Sequence, residues 1–275
     1  RGERVIDLHV HTWRCRHAEG IPADYVEAAA SCGVSTLAFT DHLPLPDPLI
    51  ASIEGASGYA MPMAEIEDYV AEVIALKSGS SDVEVLLGIE ADLVPQAVAH
   101  AGEVVARYPF DIVLGSIHLI DEWAFDDPDR TDGYDAWDVS DLWERYFADL
   151  TAAARTGVAD VIAHVDLVKK FNRVPAGDLG ALYRRVARAL ADSGVAVEVN
   201  TAGLRKPCAE LYPSAALLAE LRRANVPATV GSDAHRPEEV GAGWLEARRA
   251  LHDAGYGSVL VFRGRVAQEV GLDDL

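Results

Sequence analysis

The chain is poor in cysteine, in cations and in long apolar runs, and each shortage excludes something. Its three cysteines, Cys15, Cys32 and Cys208, are odd in number and form no CxxC pair. That spacing argues against a disulfide framework and against a thiolate zinc site. No apolar stretch approaches the roughly 20 residues that span a bilayer, so no membrane partner is expected. The segment RGERVIDLHV lacks the long apolar core of a secretory signal, and the expectation is a cytoplasmic protein. Lys and Arg total 24 against 44 Asp and Glu, a formal charge of −20. Such a surface repels nucleic acid, whose binding needs clustered cations against phosphates. It repels small phosphate esters too, unless a local positive charge overrides the global field. No linker rich in Pro, Gly or Ser and no low-complexity tract interrupts the chain, so residues 1–275 are read as one domain with ample length for a core.

What is present is an alternation of short β-rich runs with longer helical ones. Candidate strands are 4–10, 34–40, 83–90, 111–118, 159–165, 195–200 and 227–232, with 258–263 as one more. Helical segments at 22–32, 64–78, 95–107, 140–156, 178–193 and 213–224 fall between them. Near-continuous apolar strands separated by helices imply an α/β fold with parallel strands and outer helices. Seven such units favour a closed, TIM-like barrel over an open sheet. Two long loops, 43–62 and 119–139, stand out. The second, dense in acids and aromatics, reads either as a solvated loop or as a lid.

The histidines carry the chemistry. Of nine, His9 and His11 end the first strand in DLHVHT, His42 follows the second in TDH, His118 ends the fourth, His164 ends the fifth, and His235 follows the seventh in GSDAH. The third strand supplies Glu90 instead, and Asp233 stands two residues before His235. In a parallel barrel all strand C-termini open on one face, so these groups converge in space. Residues i and i+2 of a strand point the same way, and His9 and His11 can share an ion. His17, on the first loop, is within reach of the same mouth. His100 and His252 sit in helical contexts and read as ordinary residues. Seven imidazoles and two carboxylates exceed the ligands of one ion. Two or three divalent transition-metal ions fit better, and imidazole-rich ligation suits Zn, Fe or Mn. Three divalent ions against two carboxylates leave a local charge of about +4, enough to draw an anion to an acidic protein.

In this order, DLHVHT, TDH, LGIEAD, GSIH, IAHVDLVKKF, EVNTAGLRK and GSDAHRPEEVG resemble the PHP (polymerase and histidinol phosphatase) superfamily, and within it the monofunctional histidinol-phosphatase branch. The resemblance runs from Asp7 to about Gly243. It implies a distorted (β/α)7 barrel with a trinuclear metal centre whose ligands are His9, His11, His17, His42, Glu90, His118, His164, Asp233 and His235. It further implies hydrolysis of L-histidinol phosphate, a step of histidine biosynthesis, by a metal-bridging hydroxide. Glu90 is then expected to bridge two ions, and Asp233 to assist the reaction.

The substrate contacts expected from position are Arg205, which follows strand six and suits a bidentate phosphate grip, one of the neighbours Lys169 and Lys170, with Lys169 taken first, and Glu198, which is placed to meet the substrate's imidazole or amine or to hold a ligand histidine in its tautomer. Asp7 and Asp41 read as supports for ligands. Two alternatives stay open. One is a related phosphoesterase of other specificity, since the ligand set would be the same. The other is a metal-binding regulatory module without catalysis. Oligomeric state has no signature in the sequence.

Overall fold

The computed structural model describes residues 4–53, 58–79 and 82–275. In chain order the strands are β1 (Val5–Val10), β2 (Val34–Phe39), β3 (Glu84–Asp92), β4 (Ile112–Ser116), β5 (Leu119–Ile120), β6 (Trp123–Ala124), β7 (Val161–Ile162), β8 (Ala196–Asn200), β9 (Ala228–Gly231), β10 (Ser258–Arg263) and β11 (Val266–Gly271). The helices are α1 (Pro22–Cys32), α2 (Asp47–Ser52), α3 (Ile66–Gly79), α4 (Val98–Val105), α5 (Val139–Ala154), α6 (Gly180–Ser193), α7 (Ala215–Arg223) and α8 (Trp244–Ala254). Among the described residues no helix is long and apolar enough to cross a membrane.

Seven strands form one parallel sheet in the order β1-β2-β3-β4-β7-β8-β9. Its two edges meet. The amide of Asp233 donates to the carbonyl of His9 at 2.8 Å, and that of His11 donates to the carbonyl of Ala234 at 2.8 Å. The sheet therefore curls into a nearly closed barrel, as the count of βα units predicts. The strands are buried on both faces, so Leu37, Ile89, Val113, Leu114, Val161 and Val197 have essentially no exposed surface. This explains why they read as continuous apolar runs and not as alternating ones.

The helices cover the barrel through single apolar stripes. In α5, Leu142, Trp143, Tyr146, Phe147 and Leu150 face inward at helical spacing, and the Asp138 side chain caps the first turn by accepting from the amides of Ser140 and Asp141. Helix α8 has no range in the sequence reading, which only places His252 in a helical context: its buried stripe is only Trp244, Ala247 and Leu251 among charged residues, too narrow to stand out. The short α2 lies in the expected 43–62 loop, of which residues 54–57 lie outside the described residues.

The run 258–263 is a strand, but not a barrel strand. It pairs antiparallel with β11 from Ser258↔Gly271 to Arg263↔Val266. The two-residue turn between them holds Gly264 (φ 56°) and Arg265 (φ 64°), the left-handed pair that a tight hairpin requires. This turn is tied to the N-terminal ends of three neighbouring barrel strands. Arg263 pairs with Glu84 at the start of β3, the Gly264 amide donates to Asp111 beside β4 at 3.0 Å, and Arg265 pairs with Asp160 beside β7 at 3.0 Å.

Candidate metal centre

The opposite rim of the barrel holds the histidines. His9 and His11 leave β1 on the same side, with their Nε2 atoms 2.9 Å apart. Both lie 3.3 Å from Glu90 Oε2, and His11 is 3.3 Å from Asp233 Oδ1. His42 Nδ1 is 3.2 Å from the same Glu90 Oε2. The other oxygen of Glu90 faces a second set: His164 Nε2 at 3.0 Å and His118 Nε2 at 3.6 Å. One carboxylate thus presents each oxygen to a different group of imidazoles. His235 stacks toward His11, and His17 toward His42 and His235, with ring centroids 4.5, 5.3 and 5.0 Å apart. All nine side chains singled out from the sequence are brought together. Several triples among them, including His17–His42–His235 and His11–Asp233–His235, have donor atoms within 4.8 Å of one another.

Short backbone departures aim these groups. Strand β7 pairs over only two residues, shorter than 159–165, because His164 turns into the left-handed region at φ 27° and ends it. Asp233 does the same just after β9, at φ 52°. Non-glycine residues in this region are strained, and such positions concentrate at functional sites. Strand β3, by contrast, runs two residues past Glu90 to Asp92. Asp92 then shares a side of the strand with Glu90, and its carboxylate accepts from the His118 amide at 2.9 Å, lies 3.1 Å from His118 Nδ1 and accepts from the hydroxyl of Tyr59.

A layer of partners behind the imidazoles orients them. His9 Nδ1 lies 2.7 Å from Glu198 Oε1, His235 Nδ1 is 3.0 Å from the carbonyl of Asp233, and His17 Nδ1 is 3.1 Å from that of Gly58. His11 Nδ1 is 3.2 Å from the buried thiol of Cys15, which donates to Asp41 Oδ1 at 3.1 Å and accepts from the His42 amide at 3.1 Å. A hydrogen held on Nδ1 by such a partner leaves the Nε2 lone pair facing inward. The buried His42 Nδ1 points into the same centre without a hydrogen-bond partner. Converging lone pairs of this kind fit a cation, since without one they only repel. Asp41 reaches His11 through Cys15. Asp7 touches no imidazole side chain; it accepts from the amides of Ser232 and Gly241 and so holds the β9 exit.

The electrostatics agree. Burial alone pushes the Glu90 carboxyl up, but the imidazoles of His42, His9 and His118 outweigh it and hold it well below its usual range. Asp233 is likewise held well below, against burial, by His9, His11 and His235. Burial pulls His118 down, yet Asp92 and Glu90 lift it to about 10. For His42 and His235 burial wins, and both stay neutral.

A cavity of about 530 Å³ opens over this floor, within the usual range for small-molecule sites. Leu45, Leu119, Leu167 and Tyr212 give it apolar walls. One wall belongs to the 119–139 segment. There the β5–β6 hairpin is followed by a 3-10 stretch, Pro128–Ala136, which packs on Trp123: the indole donates to the carbonyl of Arg130 at 2.9 Å and meets Tyr134 edge-on at 4.8 Å. The segment is folded on itself, with Asp121, Glu122, Asp129 and Asp132 exposed on its outer side, and presents Ala124, Asp126 and Asp127 to the cavity.

Of the residues expected at the substrate, Glu198 takes the second role read for it, holding a ligand histidine, while Lys169 and Arg205 have other partners. Glu198 holds His9 Nδ1, the His164 amide at 3.0 Å and Asn200 Nδ2 at 2.9 Å. Lys169 is buried, its ammonium surrounded by Asp166, Glu210 and the Leu211 carbonyl. Arg205 donates to the carbonyl of Ser232 at 2.8 Å and pairs with Glu239. The cations that line the cavity are Lys170, Lys206 and Arg236. A position next to a strand end does not say which way a long side chain turns. His100 meets the carbonyl of Pro44 and His252 is exposed, as expected of residues outside the centre.

Comparison with known proteins points one way. The PHP domain family matches residues 7–202, and a PHP-associated family matches 218–254. A probable histidinol-phosphatase of Deinococcus radiodurans is 36% identical over 265 residues, 96% of this chain and 98% of the relative. The histidinol-phosphatase of Bacillus subtilis is 26% identical, covering 86% of this chain and 95% of the relative. Among solved structures, the histidinol phosphate phosphatase of Lactococcus lactis, complexed with zinc, L-histidinol and phosphate, superposes with a TM-score of 0.79 at 20% identity, over 97% of this chain and 98% of that one.

Proposed function

This chain belongs to the PHP domain family, and from that premise we propose that it is a metal-dependent phosphomonoesterase that hydrolyses L-histidinol phosphate to L-histidinol and phosphate, in the cytoplasm. The observation that carries the reading is Glu90, whose two oxygens face two separate sets of imidazoles at 3.0–3.6 Å. Two donor sets on either side of one carboxylate would hold two ions, where a lone ion would need only one set. The nine ligands proposed are His9, His11, His17, His42, Glu90, His118, His164, Asp233 and His235. Two of them, Asp233 and His235, come from the segment that the PHP-associated family matches, which supports treating residues 1–275 as one functional unit.

When bound, two or three Zn, Fe or Mn ions supply an acidified water as nucleophile and offset charge on the phosphoryl oxygens. The chain's own residues do the rest. Glu90 sets the spacing between the two imidazole groups. Glu198, Asp92 and the Cys15–Asp41 pair hold His9, His118 and His11 with their free nitrogens inward. Asp233, kept ionised by its neighbours, orients or accepts a proton and is not a donor in its resting state. Lys206 and Arg236 line the cavity and draw in an anionic ester against the overall charge.

The test is phosphate release from L-histidinol phosphate by the purified protein, followed by metal analysis. Chelation is expected to abolish turnover and added divalent metal to restore it. Equal turnover of p-nitrophenyl phosphate would undercut the named substrate. No release at full metal occupancy would favour a binding module instead.

A further inference from the structure

The ester proposed as substrate carries an ammonium group on the carbon next to its ester carbon. Only two carbons separate that nitrogen from the ester oxygen, so it must bind close to the phosphoryl site. An enzyme that selects this ester needs an anion there. Glu198 cannot serve, since it lies behind His9 and His164. The other wall carboxylates are engaged: Asp127 caps the 3-10 stretch through the Asp129 amide, and Glu239 accepts from the His235 amide and pairs with Arg205.

Asp126 differs. It follows the β5–β6 hairpin, lines the cavity, and faces Lys170 across the wall, with Oδ2 3.0 Å from Nζ. Both side chains are largely shielded, 20% and 13% exposed. Burial pushes the Asp126 carboxyl up, but Lys170, His118 and His164 hold it below its usual range, so it stays anionic and lies near enough to the imidazole floor to feel it. A carboxylate braced in this way loses little freedom when it receives a ligand.

We propose that Asp126, braced by Lys170, receives the ammonium group of an amino-substituted phosphate monoester and thereby sets the selectivity of the site among phosphate esters. This rests on the phosphatase reading above. An ester without the amine leaves the carboxylate paired only with Lys170 and gains nothing from it. An ester with the amine gains a charge-assisted hydrogen bond in a shielded place.

The experiment compares kcat/KM for L-histidinol phosphate with that for its deamino analogue, 3-(imidazol-4-yl)propyl phosphate, on the metal-replete protein. Asp126→Asn should reduce the ratio of the two by about 10- to 100-fold, mainly through KM. Asp126→Glu should recover part of the ratio. Calorimetric binding of L-histidinol should weaken in step. A ratio unchanged in Asp126→Asn, or equal slowing of both esters, would show that the carboxylate merely props the wall, and overturns the assignment. If the wild-type protein shows no preference for the amino ester, the substrate reading itself falls and takes this assignment with it; that outcome is seen before any variant is made.

Discussion

Cys15 contributes to the centre through one sulfur atom. It is fully buried, and burial, with Asp41 beside it, pushes its thiol well above the ordinary range, so it stays protonated. It can then donate to Asp41 while accepting from His11 Nδ1 and the His42 amide. Cys15→Ala removes the partner of both histidines, and metal affinity should fall by about 10- to 100-fold. Cys15→Ser keeps a donor and an acceptor and should retain most of it. Competition against a chromophoric chelator reads both; equal affinities for the two variants would refute the role. Nothing in the residue pattern points to this thiol. Eight of the nine converging side chains were legible because each falls at or just past a strand end, where parallel topology assigns the face; His17, on the first loop, rested on the family resemblance. Cys15 lies in a loop, and loop contacts have no period to read. Asp92 could have been found: in LGIEAD it stands two residues from Glu90, on the same side of the strand.

Strand β9 shows how tightly an element can be bound to the site it serves. A Cβ on Gly231 would run into Glu198 Oε1 and the Cβ of His9, so glycine is what lets β8, β9 and β1 close around the imidazole pair. Gly231→Ala should cost about 1–3 kcal/mol as overpacking, a melting point lower by several degrees. Metal content per chain should also drop sharply, because Glu198 is pushed from His9. Calorimetry and metal analysis on the same sample check both; a folded variant with full metal content would contradict the packing argument. Most barrel elements were legible from apolar runs and helical stripes. Those that were missed, α2, β5, β6, α8 and β11, are short or largely exposed, and a short or exposed element carries little apolar pattern. The β10–β11 hairpin also depends on a turn, Gly264–Arg265, whose partners Asp111 and Asp160 lie more than a hundred residues away.

Over the whole molecule, a formal charge of −20 surrounds a floor rich in imidazole. Like charges on a compact body repel, and the repulsion reaches about 30 Å at 0.01 M salt but only about 8 Å at 0.15 M. The melting point should therefore rise by about 2–4 °C over that range, equivalent to about 1 kcal/mol; a flat or falling midpoint in scanning calorimetry would show that the acids are locally compensated. The closure of seven strands was legible as a count of βα units, whereas the covering of the far rim by the hairpin was not, since it is a tertiary arrangement of a strand that the alternation does not distinguish. That covering has a mechanical consequence. With the starts of β3, β4 and β7 stapled together at one rim, the far ends of the same strands, which lead into Glu90, His118 and His164, are splinted from behind, so the spacing of the imidazole floor does not depend on its own loops alone.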